Sequence, residues 1–226
     1  MPKAPPQALS LGVSELALTR RSTAQKAVTK LGPLSFTLPH PGCWWLTGIS
    51  GSGKSLLLES LAGFHAEAQG SIRIADREVA GLAPEHRNIA LMPQRWRLFP
   101  HWTVIRNLQF AAKLSATPST QITELARRLQ IHPLLERATR ALSGGETQRI
   151  ALAQTLLSPA KVILLDEPLS AIDAALQSIV LDLLIEQSTQ PQRICLIAAH
   201  QVPPGYPMQG SLSLEKGQLR SHLELS

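Results

Sequence analysis

The stretch CWWLTGISGSGKSLLLESLAGF, residues 43–64, decides the fold of this chain. It opens with an apolar run that predicts a buried strand, and it closes with apolar residues at helical spacing. Between them, residues 48–55 read GISGSGKS and match the pattern G-x-x-x-x-G-K-[S/T] in full. This order predicts a phosphate-binding loop, because the glycines let backbone N–H groups turn inward and the helix N-terminus favours an anion.

The side chains and the backbone of this loop have separate tasks. Lys54 is expected to reach the β- and γ-phosphates of a nucleotide, and Ser55 is expected to ligate Mg²⁺. The remaining residues would supply backbone N–H groups to the phosphate oxygens. The predicted nucleotide-binding residues are therefore Gly48, Ile49, Ser50, Gly51, Ser52, Gly53, Lys54 and Ser55.

A second apolar run, KVILLDEP at residues 161–168, predicts the other half of such a site. It predicts a buried strand with Asp166 and Glu167 at its C-terminal end, where open α/β sheets bind ligands. Asp166 would hold Mg²⁺ through water. Glu167 would lie near the γ-phosphate and polarise an attacking water as general base.

The rest of the chain alternates predicted strands with predicted helices, which favours an α/β fold with a mostly parallel sheet. We predict a P-loop NTPase core, an antiparallel β subdomain near the N-terminus and an inserted helical subdomain at about residues 95–158. Residues 1–10 are expected to form a loose tail, and residues 11–226 a single domain. Residues 210–219 would add a closing hairpin.

Composition narrows the class of protein. The chain has 226 residues, of which 44% are hydrophobic and 17% charged, as in globular proteins. Its net charge of +6 is compatible with nucleotides, nucleic acid or an anionic membrane, but equally with an ordinary solvated basic surface. Cys43 and Cys195 lack metal-ligand spacing, and Cys195 reads as a buried strand residue. The sequence has no signal-peptide core or membrane span, so a membrane role would need a partner chain.

Four further motifs follow in order along the chain, and with them it resembles the ATP-binding subunit of ABC transporters. LSGGETQ at residues 142–148 is similar to the signature of that family. Gln94 in LMPQ matches its Q-loop, Asp173 ends LSAID where the family has its D-loop, and His200 in IAAHQ matches its switch histidine. Together with the phosphate loop, the motifs span residues 48–200.

The resemblance implies ATP and Mg²⁺ as cofactors and a role for each matched residue. Gln94 would sense Mg²⁺ and the attacking water, and His200 would contact the γ-phosphate. Ser143, Gly144 and Gly145 would bind the γ-phosphate of ATP held by a second subunit. Asp173 would lie at the dimer seam. Hydrolysis would then require a head-to-tail dimer, of identical or related subunits.

Within the family, DEPLSAID and LFPHWTVIRNL look like the importer branch, and there is a faint similarity to subunits for molybdate, thiamine, iron or polyamines. This implies transmembrane permease subunits and a solute-binding protein as partners, no nucleic acid, and a peripheral place on the cytoplasmic face of the plasma membrane. The alternatives are a soluble ABC-type ATPase acting on nucleic acid or ribosomes, and a cassette that only binds nucleotide. Four apolar residues would either contact a permease or, equally, belong to the core of the helical subdomain, namely Trp96, Leu98, Phe99 and Trp102.

The sequence departs from the family pattern at three places. The family usually has an aromatic residue before the phosphate loop that stacks on adenine, but residues 12–35 contain no Phe, Tyr, Trp or His. The aromatic platform is therefore missing, or the guanidinium plane of an arginine such as Arg20 or Arg21 replaces it. Gln201 replaces the usual acidic residue after His200. The prolines of VPPGYPMQG, residues 202–210, replace the helix expected there. Since few residues follow, we expect no C-terminal regulatory domain.

Overall fold

The computed structural model describes residues 8–21, 28–115, 117–189, 192–202, 206 and 208–224. The strands are β1 Leu11–Arg21, β2 Val28–Leu38, β3 Gly42–Thr47, β4 Gln69–Ile74, β5 Arg77–Glu78, β6 Ile89–Met92, β7 Val162–Asp166, β8 Ile194–Ala199, β9 Gly210–Glu215 and β10 Gln218–Glu224. The helices are α1 Lys54–Ala62, α2 Val104–Ser115, α3 Ser119–Arg128, α4 Gly144–Leu156 and α5 Ala174–Thr189.

The larger sheet has the strand order β10-β9-β3-β8-β7-β6. All neighbours in it are parallel except β9 and β10, which form the predicted closing hairpin. Because the strands run parallel, the carboxyl ends of β3, β7 and β8 meet at one edge. The register pairs Thr47 with Ala199 and Asp166 with Ala198, so the loops that follow these strands begin at the same level.

The smaller sheet has the order β2-β1-β4-β5 and is antiparallel throughout. Its apolar residues alternate with exposed ones, as expected for a sheet with one buried face. The prediction of an α/β fold that combines a mostly parallel sheet with an antiparallel one is confirmed.

Two hydrophobic cores lie on opposite faces of the larger sheet, and adjacent tryptophans divide between them. Trp44 packs with α1 and the smaller sheet, whereas Trp45 packs with helices α2 to α5. Successive side chains of a strand point to opposite faces, so a run such as VILLD in β7 is buried throughout when both faces are covered. Cys195 is buried in β8, as predicted.

Helices α2, α3 and α4 lie within residues 95–158, where the sequence predicts helices. A buried polar network fixes the loop before α2. The fully buried Asn107 accepts a hydrogen bond from the backbone N–H of Phe99 (2.9 Å), and its own carbonyl accepts one from the Gln154 amide (2.9 Å). Gln154 also accepts a hydrogen bond from the Trp96 indole (3.1 Å).

Several predictions fall on residues that the structure does not describe. Residues 1–7 of the expected tail lie outside it, and residues 8–10 have no regular secondary structure. Pro203, Pro204, Gly205 and Pro207 lie outside the described residues, as do the side chains of Arg20 and Arg21. None of the described helices combines the length and apolar character needed to cross a bilayer.

Candidate functional site

The phosphate loop leaves β3 and winds directly into α1, as the sequence predicts. Gly53 caps α1 with a left-handed φ of 108°, a conformation that favours glycine. The Lys54 ammonium is buried and donates to the carbonyl oxygens of Gly48 (2.7 Å) and Ile49 (3.2 Å). A Cβ built on Gly51 would meet no atom within 4 Å, so the crown of the loop faces open space. The loop thus keeps its cation close to the helix N-terminus, where anions bind.

Asp166 ends β7 beside this loop, and its surroundings show whether the residues here suit Mg²⁺. Only 4% of the residue is exposed, and among the described residues its Oδ1 has no hydrogen-bond partner. Burial raises the pKa of this carboxyl, while hydrogen bonding from the Ser55 hydroxyl and the charge of Lys54 oppose the rise. An orphaned buried oxygen beside a hydroxyl oxygen suits a hard divalent cation, which prefers oxygen ligands. The residues therefore fit Mg²⁺.

Glu167 is held at both carboxylate oxygens by residues that follow two other strands, β6 and β8. The Gln94 amide donates to its Oε2, and His200 Nε2 lies 2.9 Å from its Oε1. The Gln94 bond is also 2.9 Å long. Only 14% of the Glu167 side chain is exposed, and its backbone has a positive φ of 54°. The fold thus brings together the three residues that the sequence proposes as catalytic, although they lie up to 106 positions apart.

The N-terminus of α4 carries the second glycine turn. Ser143 is its N-cap: the Ser143 hydroxyl accepts from the Glu146 N–H, and the Glu146 carboxylate accepts from the Ser143 N–H. The hydrogen bond from the Ser143 N–H lowers the pKa of the Glu146 carboxyl. Ser143 and Gly144 are exposed, and no hydrogen bond joins Ser143, Gly144 or Gly145 to the phosphate loop among the described residues. The N-terminus of α4 is therefore exposed at Ser143 and Gly144, and its binding of an anion stays a prediction.

Gln148 is a connection that sequence reasoning missed. Its amide donates to the carbonyl oxygen of Glu167 (2.8 Å) and accepts from the N–H of Ala171 (3.1 Å), which ties α4 to the segment after β7. Its only signal in the sequence is its place at the end of LSGGETQ. Asp173 is exposed and caps α5 by accepting from the Leu176 N–H (3.0 Å), a local role that leaves its place at a dimer seam a prediction.

The four apolar residues before α2 that the sequence offers as permease contacts fall into two pairs in the structure, one in the core and one in a partly exposed cluster. Leu98 is buried in the core and Trp96 packs partly against it, so these two are subdomain core. Phe99 remains 44% exposed, and its ring lies 4.4 Å from that of Trp102 between centroids. Phe110 of α2, which the sequence did not single out, is 47% exposed and completes this cluster.

Comparison with known proteins agrees with this geometry. The model of the ABC transporter family matches residues 31–170. The thiamine import ATP-binding protein ThiQ of Vibrio cholerae is 35% identical over 180 residues, which cover 77% of this chain and 76% of that protein. The molybdate/tungstate import ATP-binding protein WtpC of Pyrococcus horikoshii is 39% identical over 153 residues, covering 66% of this chain. The match spans 44% of WtpC, less than half of that relative's length.

Solved structures show the same fold. An ATP-binding cassette in a dimeric post-hydrolysis state, bound to ADP and phosphate, superposes with a TM-score of 0.82. It is 19% identical, and the match covers 96% of this chain and 99% of that one. A bacterial Atm1-family ABC exporter with ATP bound gives a TM-score of 0.78 at 21% identity, covering 95% of this chain and 38% of the exporter.

Proposed function

Because this chain belongs to the ABC transporter family, we propose that it is an ATP-hydrolysing subunit that pairs head-to-tail and powers a separate membrane permease. The observation that carries the proposal is the meeting of Lys54, Asp166 and Glu167 at one sheet edge. There, a phosphate-binding cation lies on the segment after β3, and two carboxylates lie at the end of β7, one with an oxygen unpaired among the described residues and one with two hydrogen-bonding partners.

The residues of the phosphate loop bind and orient ATP. Its backbone N–H groups surround the phosphates, and the Lys54 ammonium exchanges the carbonyl oxygens of Gly48 and Ile49 for phosphate oxygens. Ser55, Asp166 and Gln94 would hold Mg²⁺, which when bound would neutralise charge on the phosphates. The cost of burying Asp166 Oδ1, which has no partner among the described residues, is then offset by its ligand.

Glu167 acts on the attacking water. Gln94 and His200 must turn from Glu167 to the nucleotide when ATP binds, and this frees both carboxylate oxygens, one of which accepts a proton from water. The water oxygen forms a bond to the γ-phosphorus while the bond from that phosphorus to the bridging oxygen breaks, which releases ADP and phosphate. His200 donates to the γ-phosphate oxygens as their charge redistributes.

A second subunit completes the site. The exposed N-terminus of α4 has its serine hydroxyl, two glycine N–H groups and a helix dipole available for an anion that its own phosphate loop does not supply. In the proposed dimer, Ser143, Gly144 and Gly145 bind the γ-phosphate held by the partner, and Asp173 lies at the seam. Hydrolysis therefore depends on two subunits.

The transport role rests on the relatives, which are named as import ATP-binding proteins. We place the chain as a peripheral protein on the cytoplasmic face of the membrane, with permease subunits, a second ATPase subunit and a solute-binding protein as its assembly. No nucleic acid is part of it. The cargo is chosen by the other subunits, since the site described here handles only nucleotide.

Glu167→Gln tests the chemical part of the proposal. The variant should bind ATP and accumulate as an ATP-bound dimer, because the amide does not take the proton from water. Size-exclusion chromatography with ATP and Mg²⁺, together with phosphate release, measures both effects, and Asp182→Asn on the exposed face of α5 is the control. Normal turnover by Glu167→Gln would remove the general-base assignment.

The transport part has its own test. The chain is purified from membranes of its source cells with a mild detergent, and its partners are identified. A polytopic membrane protein in constant ratio supports the proposal. Recovery with ribosomes or DNA instead would replace it with the soluble ATPase alternative.

A further inference from the structure

The turn between β9 and β10 lies against the phosphate loop, although the two are far apart in the chain. The Gly217 N–H donates to the carbonyl oxygen of Ser52 (2.7 Å), and the Gly217 carbonyl oxygen accepts from the N–H of Gly32 in β2 (2.7 Å). The Gln218 amide adds a bond to the carbonyl oxygen of Gly32 (2.6 Å). The backbone of one residue, Gly217, therefore bridges the phosphate loop and the smaller sheet.

Close packing at this turn leaves room for glycine alone. Gly217 has a left-handed φ of 77°, and a Cβ built on it would overlap the carbonyl oxygen of Lys30. On the side of the loop, a Cβ built on Gly53 would lie 3.5 Å from the Cα of Gly217. The buried side chains of Leu31 and Leu214 would lie 3.4 and 3.3 Å from the same point. The turn thus approaches the phosphate loop from the side of the hydrophobic core.

The hydrogen bond from Gly217 sets the direction of one peptide group in the loop. The carbonyl of Ser52 and the N–H of Gly53 belong to the same peptide unit, which is planar and trans. In such a unit the C=O and the N–H point in opposite directions. Because the carbonyl points to Gly217 beneath the loop, the Gly53 N–H points to the open side. It has no hydrogen-bond acceptor in the part of the chain that the structure describes.

The neighbouring backbone groups of the loop are fixed by local hydrogen bonds, but this peptide is not. Before it, the Ser52 N–H donates to the carbonyl oxygen of Ile49 (3.1 Å), and after it the Gly53 carbonyl oxygen accepts from the Leu57 N–H (2.9 Å). Among the residues described, the carbonyl oxygen between them accepts a hydrogen bond only from Gly217. A glycine resists backbone rotation least, so the direction of the Gly53 N–H depends on this distant bond.

We propose that Gly217 is a positioning residue for nucleotide binding, whose N–H holds the Ser52–Gly53 peptide so that the Gly53 N–H donates to a phosphate oxygen. The inference rests on the phosphate-binding part of the proposed function and adds the β9–β10 turn to that site. Gly53 is the N-cap of α1, where N–H groups without intrahelical acceptors and the helix dipole favour an anion. Phosphate binding therefore requires the hairpin as well as the loop itself.

Replacing the Gly217 N–H by an ester oxygen tests this bond alone. Glycolic acid is introduced at position 217 of the full chain by in vitro translation with an acylated suppressor tRNA. The Kd for ADP and the Kd for inorganic tripolyphosphate should both rise about 10-fold, because a misdirected N–H loses a hydrogen bond to a charged group. Microscale thermophoresis measures both constants. Unchanged constants would overturn the proposal, and so would a loss confined to ADP, since that would place the effect at the base or sugar.

Turnover separates positioning of the nucleotide from a general defect in the fold. In the ester variant the KM for ATP should rise by about 10-fold, whereas kcat should change by no more than about twofold, since the lost interaction serves bound ATP and the transition state alike. Phosphate release at varied ATP concentration measures both. A fall in kcat with an unchanged KM would contradict the assignment.

A pair of alanine variants provides the matched control. Gly63 ends α1 at the other end with a left-handed φ of 92°, and a Cβ built on it would lie 2.5 Å from the Arg87 side chain. Gly217→Ala and Gly63→Ala should both lower the free energy of unfolding, but only Gly217→Ala should weaken tripolyphosphate binding. Equal weakening in both would show that affinity follows overall stability and would refute the role of Gly217. The ester variant decides the question even where Gly217→Ala does not fold.

The wild-type chain distinguishes this inference from the proposed function. If it binds neither ADP nor tripolyphosphate, the phosphate-loop function itself fails. If it binds both and the ester variant binds them equally well, only the role of Gly217 is removed. Tight binding by the wild-type chain and by Gly63→Ala, with weak binding by both Gly217 variants, supports the proposal.

Discussion

Replacing Asp166 by asparagine should stabilise the protein without ligand and remove its response to Mg²⁺ and ATP. The Asp166 carboxylate is buried and its Oδ1 has no hydrogen-bond partner among the described residues. A buried polar group left unsatisfied costs about 1–3 kcal/mol, and more when it is charged. Asparagine has nearly the same shape and no charge, so the free energy of unfolding should rise by about 1–3 kcal/mol.

Asp166→Asn should be more stable than the wild-type protein without ligand, but less stable than it when Mg²⁺ and ATP are added. A ligand at 100 times its Kd stabilises the wild-type protein by about 2.7 kcal/mol. Asp166→Asn should lose most of this gain, because the Mg²⁺ ligand is gone. Urea unfolding followed by tryptophan fluorescence, with and without Mg²⁺ and ATP, measures the four free energies. Asp182→Asn, on an exposed aspartate of α5, should behave as wild type in both conditions.

The pH dependence of the Asp166 effect has a definite sign. Burial raises the pKa of Asp166 in the folded state, so between its ordinary value of about 3.9 and the raised value the folded chain binds more protons than the unfolded chain. Stability without ligand therefore falls as pH rises through this window. The gain from Asp166→Asn should disappear as pH is lowered toward 4, where aspartic acid is neutral. A gain that is constant with pH, or a loss of stability at pH 7, would refute the reasoning.

Four further substitutions probe the site. Ser143→Arg should leave ATP affinity within about twofold and abolish phosphate release, because the side chain blocks the anion site that the partner needs; retained turnover would contradict the two-subunit site. Gln148→Leu removes the bonds that tie α4 to Glu167, and should cost about 1–3 kcal/mol in unfolding and lower turnover more than ATP affinity; equal losses would contradict a positioning role. Gly48→Ala should lower the free energy of unfolding by more than about 2 kcal/mol, because the added Cβ would lie 2.3 Å from a carbonyl oxygen of β9. Gly51→Ala should lower it by only about 1–2 kcal/mol, because its Cβ meets open space and only the left-handed backbone opposes it. Urea unfolding compares the two variants.

Local physics made much of the fold and the site predictable. The phosphate loop needs glycines at left-handed positions and a helix directly behind it, and both conditions can be read from eight consecutive residues. Buried parallel strands such as β7 appear as apolar runs because both faces are covered. Ser143 and Glu146 form a capping box whose two partners are three residues apart, so the start of α4 is also a local feature.

The remaining features depend on contacts between residues far apart in the chain. The end of the apolar strand predicted the role of Glu167, and the family resemblance predicted those of Gln94 and His200. The hydrogen bonds that hold both oxygens of Glu167 follow from the neighbouring positions of β6, β7 and β8 in the sheet. The contacts of Gln148 were missed because Gln148 lies on α4, whereas its partners Glu167 and Ala171 lie in the segment after β7. The burial of Leu98 and the exposure of Phe99 could not be predicted from the sequence, because either of two adjacent apolar residues could face the core.

The sequence by itself determined that the chain binds nucleotide phosphates and in which order its motifs occur, because each motif is a local arrangement of backbone and a few side chains. The tertiary structure alone decided which of those motifs meet, how deeply Asp166 is buried, and that Phe99, Trp102 and Phe110 form one cluster beside the Arg106 guanidinium. Strand order and helix packing set these features, and they depend on the free energy of the whole core rather than on any one segment.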